Sequence, residues 1–287
     1  MMHSLLIPLD FSASSEQALR RAIRLPLADG ARITLLHVVP RLLPGSRARA
    51  EGDAREALDA AIAKVAPLLA SDVVLRGFVK VGAPVLEITR LARSSRADLI
   101  VMGRGAGRLR DIFLGSTAER ILRRGETPVL LVRTPGSAVY RRPLLAVDDD
   151  DALGEAAGFL LRVLSEPRPG VTWLHAYDVP WQGYRYPSLE SAGLQVYARQ
   201  MRRTAQEQIE TRLAAVAGET SAWRARLRRG SPRMIIPKTV VSLKSDLLVL
   251  GTHAHQGVAH AFLGTVAGDV LREVPCDVLV VPRRVHQ

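Results

Sequence analysis

The sequence has a single cysteine, Cys276, in 287 residues, so no disulfide can form within the chain. That fits a reducing cytoplasm, and cytoplasmic is the expected location. No apolar run approaches the roughly 18 residues that a membrane span needs, so a soluble protein without membrane partners is expected. The opening Met1-Met-His-Ser-Leu-Leu-Ile-Pro8 has neither a basic leader nor a long apolar core, which reads against secretion. Lysine is scarce, occurring only at Lys64, Lys80, Lys238 and Lys244, so arginine carries almost all of the net charge of +12. Aromatic residues make up 5% and do not interleave with the arginines. Without stacking platforms a nucleic-acid surface is not indicated, and the arginines are expected along helices opposite Asp and Glu.

What the chain does have is an internal repeat. Asp98-Leu-Ile-Val-Met-Gly103 leads through a glycine- and arginine-rich stretch to Gly115-Ser116-Thr117. The second half repeats this with Asp246-Leu-Leu-Val-Leu-Gly251 and, further on, Gly264-Thr265. Upstream, His3 to Asp10 matches Arg142 to Asp148, Thr34-Leu-Leu-His-Val38 matches Thr172-Trp-Leu-His-Ala176, and Gly82-Ala-Pro84 matches Gly230-Ser-Pro232. Downstream, Val129 to Val132 matches Val278 to Val281. The length suits two domains, here 1–135 and 141–287.

Within each half, short uniformly apolar runs alternate with helical periodicity. Such runs are strands covered on both faces. The first half reads as strands at Leu5 to Leu9, Ile33 to Val39, Val73 to Val79, Leu99 to Met102 and Val129 to Val132. Helices follow Ser14, with Gln17 completing a capping box, then span about Ala54 to Leu69, and start again at Pro84 and Ser116. The second half repeats the plan, with a kink expected at Pro237. It adds an insertion, Tyr177 to Pro187, rich in aromatics and Pro/Gly, which reads as a loop over the site, a partner surface or packing between the halves. The predicted fold class is α/β: two repeated doubly wound parallel-sheet domains of five strands each, in the order 3-2-1-4-5. The closing strands are apolar edges. Pairing one with the other covers both, so the halves are expected to form an intrachain pseudo-dimer.

In such sheets ligands collect outside the carboxyl ends of the strands, where the strand order reverses. Asp10 and the glycines from Gly103 onward fall at that point in the first half. Glycines allow close backbone approach, and a helix opening at Ser116 presents unpaired N–H groups, so together they form parts of an anion cradle. The plainer reading is that the glycines only make turns and Ser116 only caps a helix. His253, His255 and His260 could suggest a metal site, but no fourth ligand has suitable spacing and exposed loop histidines explain them better. Cys276 reads as core packing. Neither Asp10-Phe-Ser-Ala-Ser-Ser15 nor Asp148 to Asp151 carries the Ser-Gly-Gly or His-x-Gly-His motif of an adenylate-forming or nucleotidyl-transfer enzyme. No obvious base stands ready to activate a hydroxyl.

These residues resemble the universal stress protein family in its tandem two-domain form. Its nucleotide-binding members carry Gly, two residues, Gly, nine residues, then Gly-Ser or Gly-Thr after strand four, with an Asp ending strand one. Here the second half has Gly251, two residues, Ala254, nine residues and Gly264-Thr265, while the first has Gly105, nine residues and Gly115-Ser116, with Gly103 one residue closer. The resemblance implies an ATP-binding stress-response signalling or regulatory module and no enzyme. It implies Asp10 and Val38 near adenine and ribose, and Gly103, Gly105, Gly115, Ser116 and Thr117 around the phosphates. The corresponding second-half positions are Asp148, Gly251, Gly264 and Thr265. A nucleotide-free scaffold and a slow ATPase or self-phosphorylating protein are the alternatives. Implied partners are an adenine nucleotide and a homo-oligomer or signalling protein.

Overall fold

The computed structural model describes residues 1–41, 44–104, 116–124, 126–135, 139–148, 152–177, 191–217, 223–252 and 265–283. In the first half, strands β1 (Met2–Pro8), β2 (Leu27–Val39), β3 (Val74–Val81), β4 (Leu99–Gly103) and β5 (Val129–Val132) alternate with helices α1 (Ala13–Ala22), α2 (Pro44–Val65), α3 (Pro84–Ser94) and α4 (Ser116–Arg124). The second half repeats this as β6 (Pro143–Val147), α5 (Ala152–Val163), β7 (Thr172–Tyr177), α6 (Ser191–Ala217), β8 (Arg224–Arg229), α7 (Pro232–Leu243), β9 (Leu247–Thr252), α8 (Thr265–Glu273) and β10 (Asp277–Pro282). The strands lie in one ten-stranded sheet ordered β3-β2-β1-β4-β5-β10-β9-β6-β7-β8. Each half therefore has the 3-2-1-4-5 order expected from its sequence.

Alternation along the strands divides the core into two layers. Leu5, Ile7, Ile33, Leu35, Leu99 and Val101 face α1 and α2, whereas Leu6, Leu36, Ile100 and Met102 face α3 and α4. Both layers continue into the second half without a break. This explains the uniformly apolar runs, since residues of both parities are buried.

Several local expectations change. The helix α1 is capped by Ser12, whose side chain accepts from Ser15 N–H, and not by Ser14. Strand β2 begins at Leu27 instead of Ile33, because Gly30 at φ +68° and a register shift carry the chain through a sequence that reads as a turn. Helix α2 begins at Pro44, a residue suited to a first turn, and ends before Ala66-Pro67, where the proline cannot donate. Pro237 does lie inside α7. Insertion residues 178–187 fall outside the described residues. Arginines pair with acids along helices as expected, for example Arg20 with Glu16 and Arg123 with Glu119. However, Arg224, Arg226 and Arg228 project from the outer strand β8, with charges that blunt a sheet edge. Among the described residues no helix is long and apolar enough to cross a membrane.

The halves join through antiparallel pairing of β5 with β10, Val278 opposite Leu131, Leu279 opposite Leu130 and Val280 opposite Val129. Equivalent residues Leu130 and Leu279 face each other, so the contact is that of a twofold dimer within one chain. Beside it lies Asp277, with no exposed surface. One oxygen accepts from the backbone N–H groups of Arg133 and Thr134 at 2.8 and 2.9 Å and from the Thr134 hydroxyl at 2.8 Å. The other accepts from the Tyr140 hydroxyl at 2.8 Å and pairs with Arg21 at 3.0 Å. Arg21 also lies over the Tyr140 ring. Burial, then the Asp277 charge, pushes the Tyr140 phenol well above its usual pKa and keeps it a protonated donor. Arg133 donates to the carbonyls of Leu271 and, at 2.6 Å, Val274, the free carbonyls at the end of α8. Burial and the neighbouring Arg104 lower its pKa to about 10, so it remains charged at neutral pH.

Away from this network, Arg162 of α5 pairs with Asp98 at 3.1 Å and donates to Met1 O, joining the halves again. Asp98 also accepts from the N–H groups of His3 and Ser4, and its repeat counterpart Asp246 accepts from those of Arg141 and Arg142. These carboxylates fix the start of each half's first strand beside its fourth.

Two outcomes follow from these contacts. Asp277→Ala leaves a buried arginine without its carboxylate, so it should lower stability by about 3–5 kcal/mol in urea unfolding. The exposed Arg20→Ala should change stability by less than about 1 kcal/mol; equal effects would show that the buried network stabilises nothing. Burial works to raise the pKa of Asp98, but bonds from His3, Arg162 and Ser4 outweigh it and hold the carboxyl below 3.8. Its stabilisation is therefore complete above the unfolded-state value and is lost as pH falls through the folded one. Asp98→Asn should flatten acid unfolding below pH about 4, and an unchanged acid limb would refute that origin.

Candidate functional site

The site begins where β1 ends. Its neighbours are β2 on one side and β4 on the other, so the carboxyl ends of all three converge at the reversal of strand order. Leu9 N–H still bonds to Leu36 O, which sets Asp10 level with Val38 at the rim. The chain then turns sharply. Phe11 takes φ 58°, a conformation that costs a non-glycine residue roughly 1–2 kcal/mol, and its ring stacks on His37 with centroids 4.5 Å apart. His37 Nδ1–H donates to Leu9 O at 2.7 Å, and the second half keeps this bond as His175 Nδ1–H to Val147 O at 3.1 Å.

Asp10 closes the start of α1. Its Oδ1 accepts from Ser12 N–H at 3.0 Å and from Ser12 Oγ–H at 2.5 Å, while Ser12 and Ser14 hydroxyls lie 3.1 Å apart. Partial desolvation works to raise its pKa. The hydrogen bonds from Ser12 and Ser15 win, and the carboxyl sits below its ordinary value. Asp10 is therefore a charged acceptor at the positive end of a helix and a weak base.

Gly103 meets this turn from the other side. A Cβ there would lie 2.3 Å from Ser14 O and 2.9 Å from Ser14 Oγ, so no larger residue fits without moving α1. Gly103 is the last residue of β4 and pairs with Val132, so its role is close approach of strand and helix rather than a positive φ in a loop. Gly251 likewise lies within β9, opposite Val281. Beside it Thr252 is buried, and its hydroxyl has no hydrogen-bond partner among the described residues.

Of the other predicted residues, Ser116 and Thr117 open α4, Thr265 opens α8, and Asp148 lies exposed just after β6. Gly105, Gly115 and Gly264 fall outside the described residues, as do Arg108, Arg110, Ala254, His253, His255 and His260. Asp10, Val38 and Gly103 are brought together at one rim. Sequence reasoning missed Phe11, Ser12 and His37 and took Ser14 only for a helix cap, although the repeat of His37 as His175 was a visible signal. Among the described residues there is no cluster of three metal-ligating side chains. Cys276 is buried next to β10, and burial and the neighbouring Asp277 push its thiol up to about 12, so it is inert packing.

The family model of the universal stress protein family matches residues 1–133 and again 140–282. A universal stress protein of Mycolicibacterium smegmatis is 27% identical over 310 aligned residues, covering 98% of both chains. Two solved structures share the fold: one of a universal stress protein from Archaeoglobus fulgidus, with TM-score 0.68 and 18% identity over 99% of this chain and 100% of that one. The other is of a putative universal stress protein from Pseudomonas aeruginosa, with TM-score 0.67 and 17% identity over 98% and 93%. Two successive matches to one family model, together with a relative aligned end to end, show that the chain belongs to the universal stress protein family in its tandem two-domain form.

Proposed function

We propose that the chain is an ATP-binding module of cytoplasmic stress-response signalling, with its better nucleotide site in the first half. One observation carries this reading: Asp10, Val38 and the sterically required Gly103 meet at the strand-order reversal, with Arg104 next along the chain. The Ser116 end of α4 supplies N–H groups for phosphate, and the Phe11–His37 stack offers a flat apolar surface beside Asp10. The reading includes no enzymatic activity: the turns after Asp10 and Asp148 carry no adenylate-forming or nucleotidyl-transfer motif, and the sequence offers no obvious base to activate a hydroxyl.

The preference for the first half rests on charge and backbone. Asp149, Asp150 and Asp151 follow Asp148 in the sequence, whereas Phe11-Ser12-Ala13 follow Asp10. Two like charges 4 Å apart cost about 1 kcal/mol even in bulk water, so these three additional carboxylates disfavour a triphosphate. Ala254 replaces a family glycine, which adds roughly 1–2 kcal/mol if positive φ is needed there.

Calorimetry on the intact chain should give close to one ATP per molecule, lost on Gly115→Trp and kept on Gly264→Trp. Two equivalent sites, or the reverse pattern, would overturn the assignment, and no binding would leave the nucleotide-free scaffold. Phosphate release over hours in the same samples identifies a slow ATPase. The dissociation constant should also rise between low and high salt, since Arg104, Arg108 and Arg110 flank the phosphate loop and exposed charges are screened beyond about 10 Å at 0.1 M. A salt-independent constant would mean that these arginines do not touch the phosphates.

A further inference from the structure

The helices α3 and α4 cover their face of the sheet only as far as β2. Beyond them, at the amino ends of β1 to β3, a cleft of about 260 Å³ opens between α3 and the outer strand. It lies at the opposite end of the strands from Asp10 and Gly103, since Ser4 and Arg32, a register pair near the start of β1, are in its wall.

Its chemistry is mixed. Arg32 and Arg76 both line it, both are exposed, and neither has an ion pair among the described residues. The register, Arg32 opposite Val74 and Thr34 opposite Arg76, sets them on neighbouring strands and one face, roughly 8 Å apart along the backbone. Nearby acids are engaged elsewhere: Asp72 accepts from Gly30 N–H, and Asp98 from His3 and Ser4 N–H. Thr34 is only 7% exposed, lines the cleft, and its hydroxyl has no partner among the described residues. Against these polar groups stand Phe78 and Val74, with 36% and 39% of their surface exposed, and Leu91 of α3.

Two unpaired guanidiniums, a hydroxyl open to the cleft and an apolar wall recognise one kind of small molecule. We propose that this cleft binds a small amphipathic monocarboxylate, its head between Arg32 and Arg76 with Thr34 as a further hydrogen-bond group, and its apolar body on Phe78 and Leu91. Arginine and carboxylate pair in a planar, charge-assisted fork. The volume is too small for an extended polyanion, and two cations on one wall do not make a track. The second half lacks the combination: at the positions of Arg32 and Phe78, aligned through Thr34 with Thr172, stand Gly170 and Arg226. The site belongs to the first half alone, and it is independent of nucleotide.

The test uses the full chain and 3-phenylpropionate, with 3-phenylpropionamide as its uncharged match, in ligand-observed NMR titrations at low salt. The carboxylate should bind about tenfold or more tightly than the amide. Arg76→Gln and Phe78→Ser, both at exposed positions, should each weaken it by about tenfold, Arg226→Gln should leave it unchanged, and saturating ATP should not displace it. Equal binding of the amide would reduce the cleft to bare apolar surface. Displacement by ATP would place the probe at the nucleotide rim instead. Either result, indifference to Arg76→Gln, or no saturable binding at millimolar concentration would overturn the proposal.

Discussion

A carboxylate cut off from water persists only where every lone pair is met, and Asp277 meets that condition by drawing on three separate parts of the chain. Arg21 comes from the first helix, Arg133, Thr134 and Tyr140 from the connection, and the acid itself opens the last strand. None of these segments can move far without exposing a charge or stranding a donor. Arg133, Thr134 and Tyr140, which lie where one half gives way to the other, are therefore tied into the buried network. The β5–β10 pairing supplies the apolar part of the same contact, and the two helical layers run across it without a seam.

The rim of the first half depends on this rigidity at one remove. Gly103 can end β4 against Ser14 only because β4 and α1 are each fixed to the sheet, β4 by pairing with β1 and β5, α1 by its buried stripe of Ala18, Leu19 and Ala22. The strained Phe11 and the Asp10–Ser12 bonds are then the local consequence of making so abrupt a turn from strand to helix. Strain at such a turn is held by its surroundings, and it leaves the carboxylate exposed at the mouth with the aromatic ring half-buried against the edge of the core.

Much of this was legible because each feature leaves a local mark. Apolar runs with both parities buried announce covered parallel strands, the repeat announces two halves, and paired apolar edges announce their contact. What escaped depended on the partner. Ser12 and Ser14 are both reasonable caps, and only Asp10, reaching Ser12 from the preceding turn, decides between them. Asp277, beside Cys276 at the start of a strand, looks like an ordinary strand-end acid until Arg21, distant in sequence, arrives beside it. The early start of β2 at Leu27 escaped because only a bulge, with Gly30 at positive φ, lets the strand continue back beyond Ile33. The arginines of β8 escaped the expectation that arginines lie along helices, because an edge position is a property of the sheet and not of the segment.

The self-complementary pairing of Leu130 with Leu279 has a consequence for how the protein can change. Between separate chains such a contact follows mass action and weakens on dilution, and symmetry forces every alteration to appear on both sides. Joined in one chain, the two surfaces meet at a fixed effective concentration whatever the amount of protein. Each side is then encoded separately. One half can keep a working rim while the other becomes a scaffold for it, and neither loses its fold to dilution.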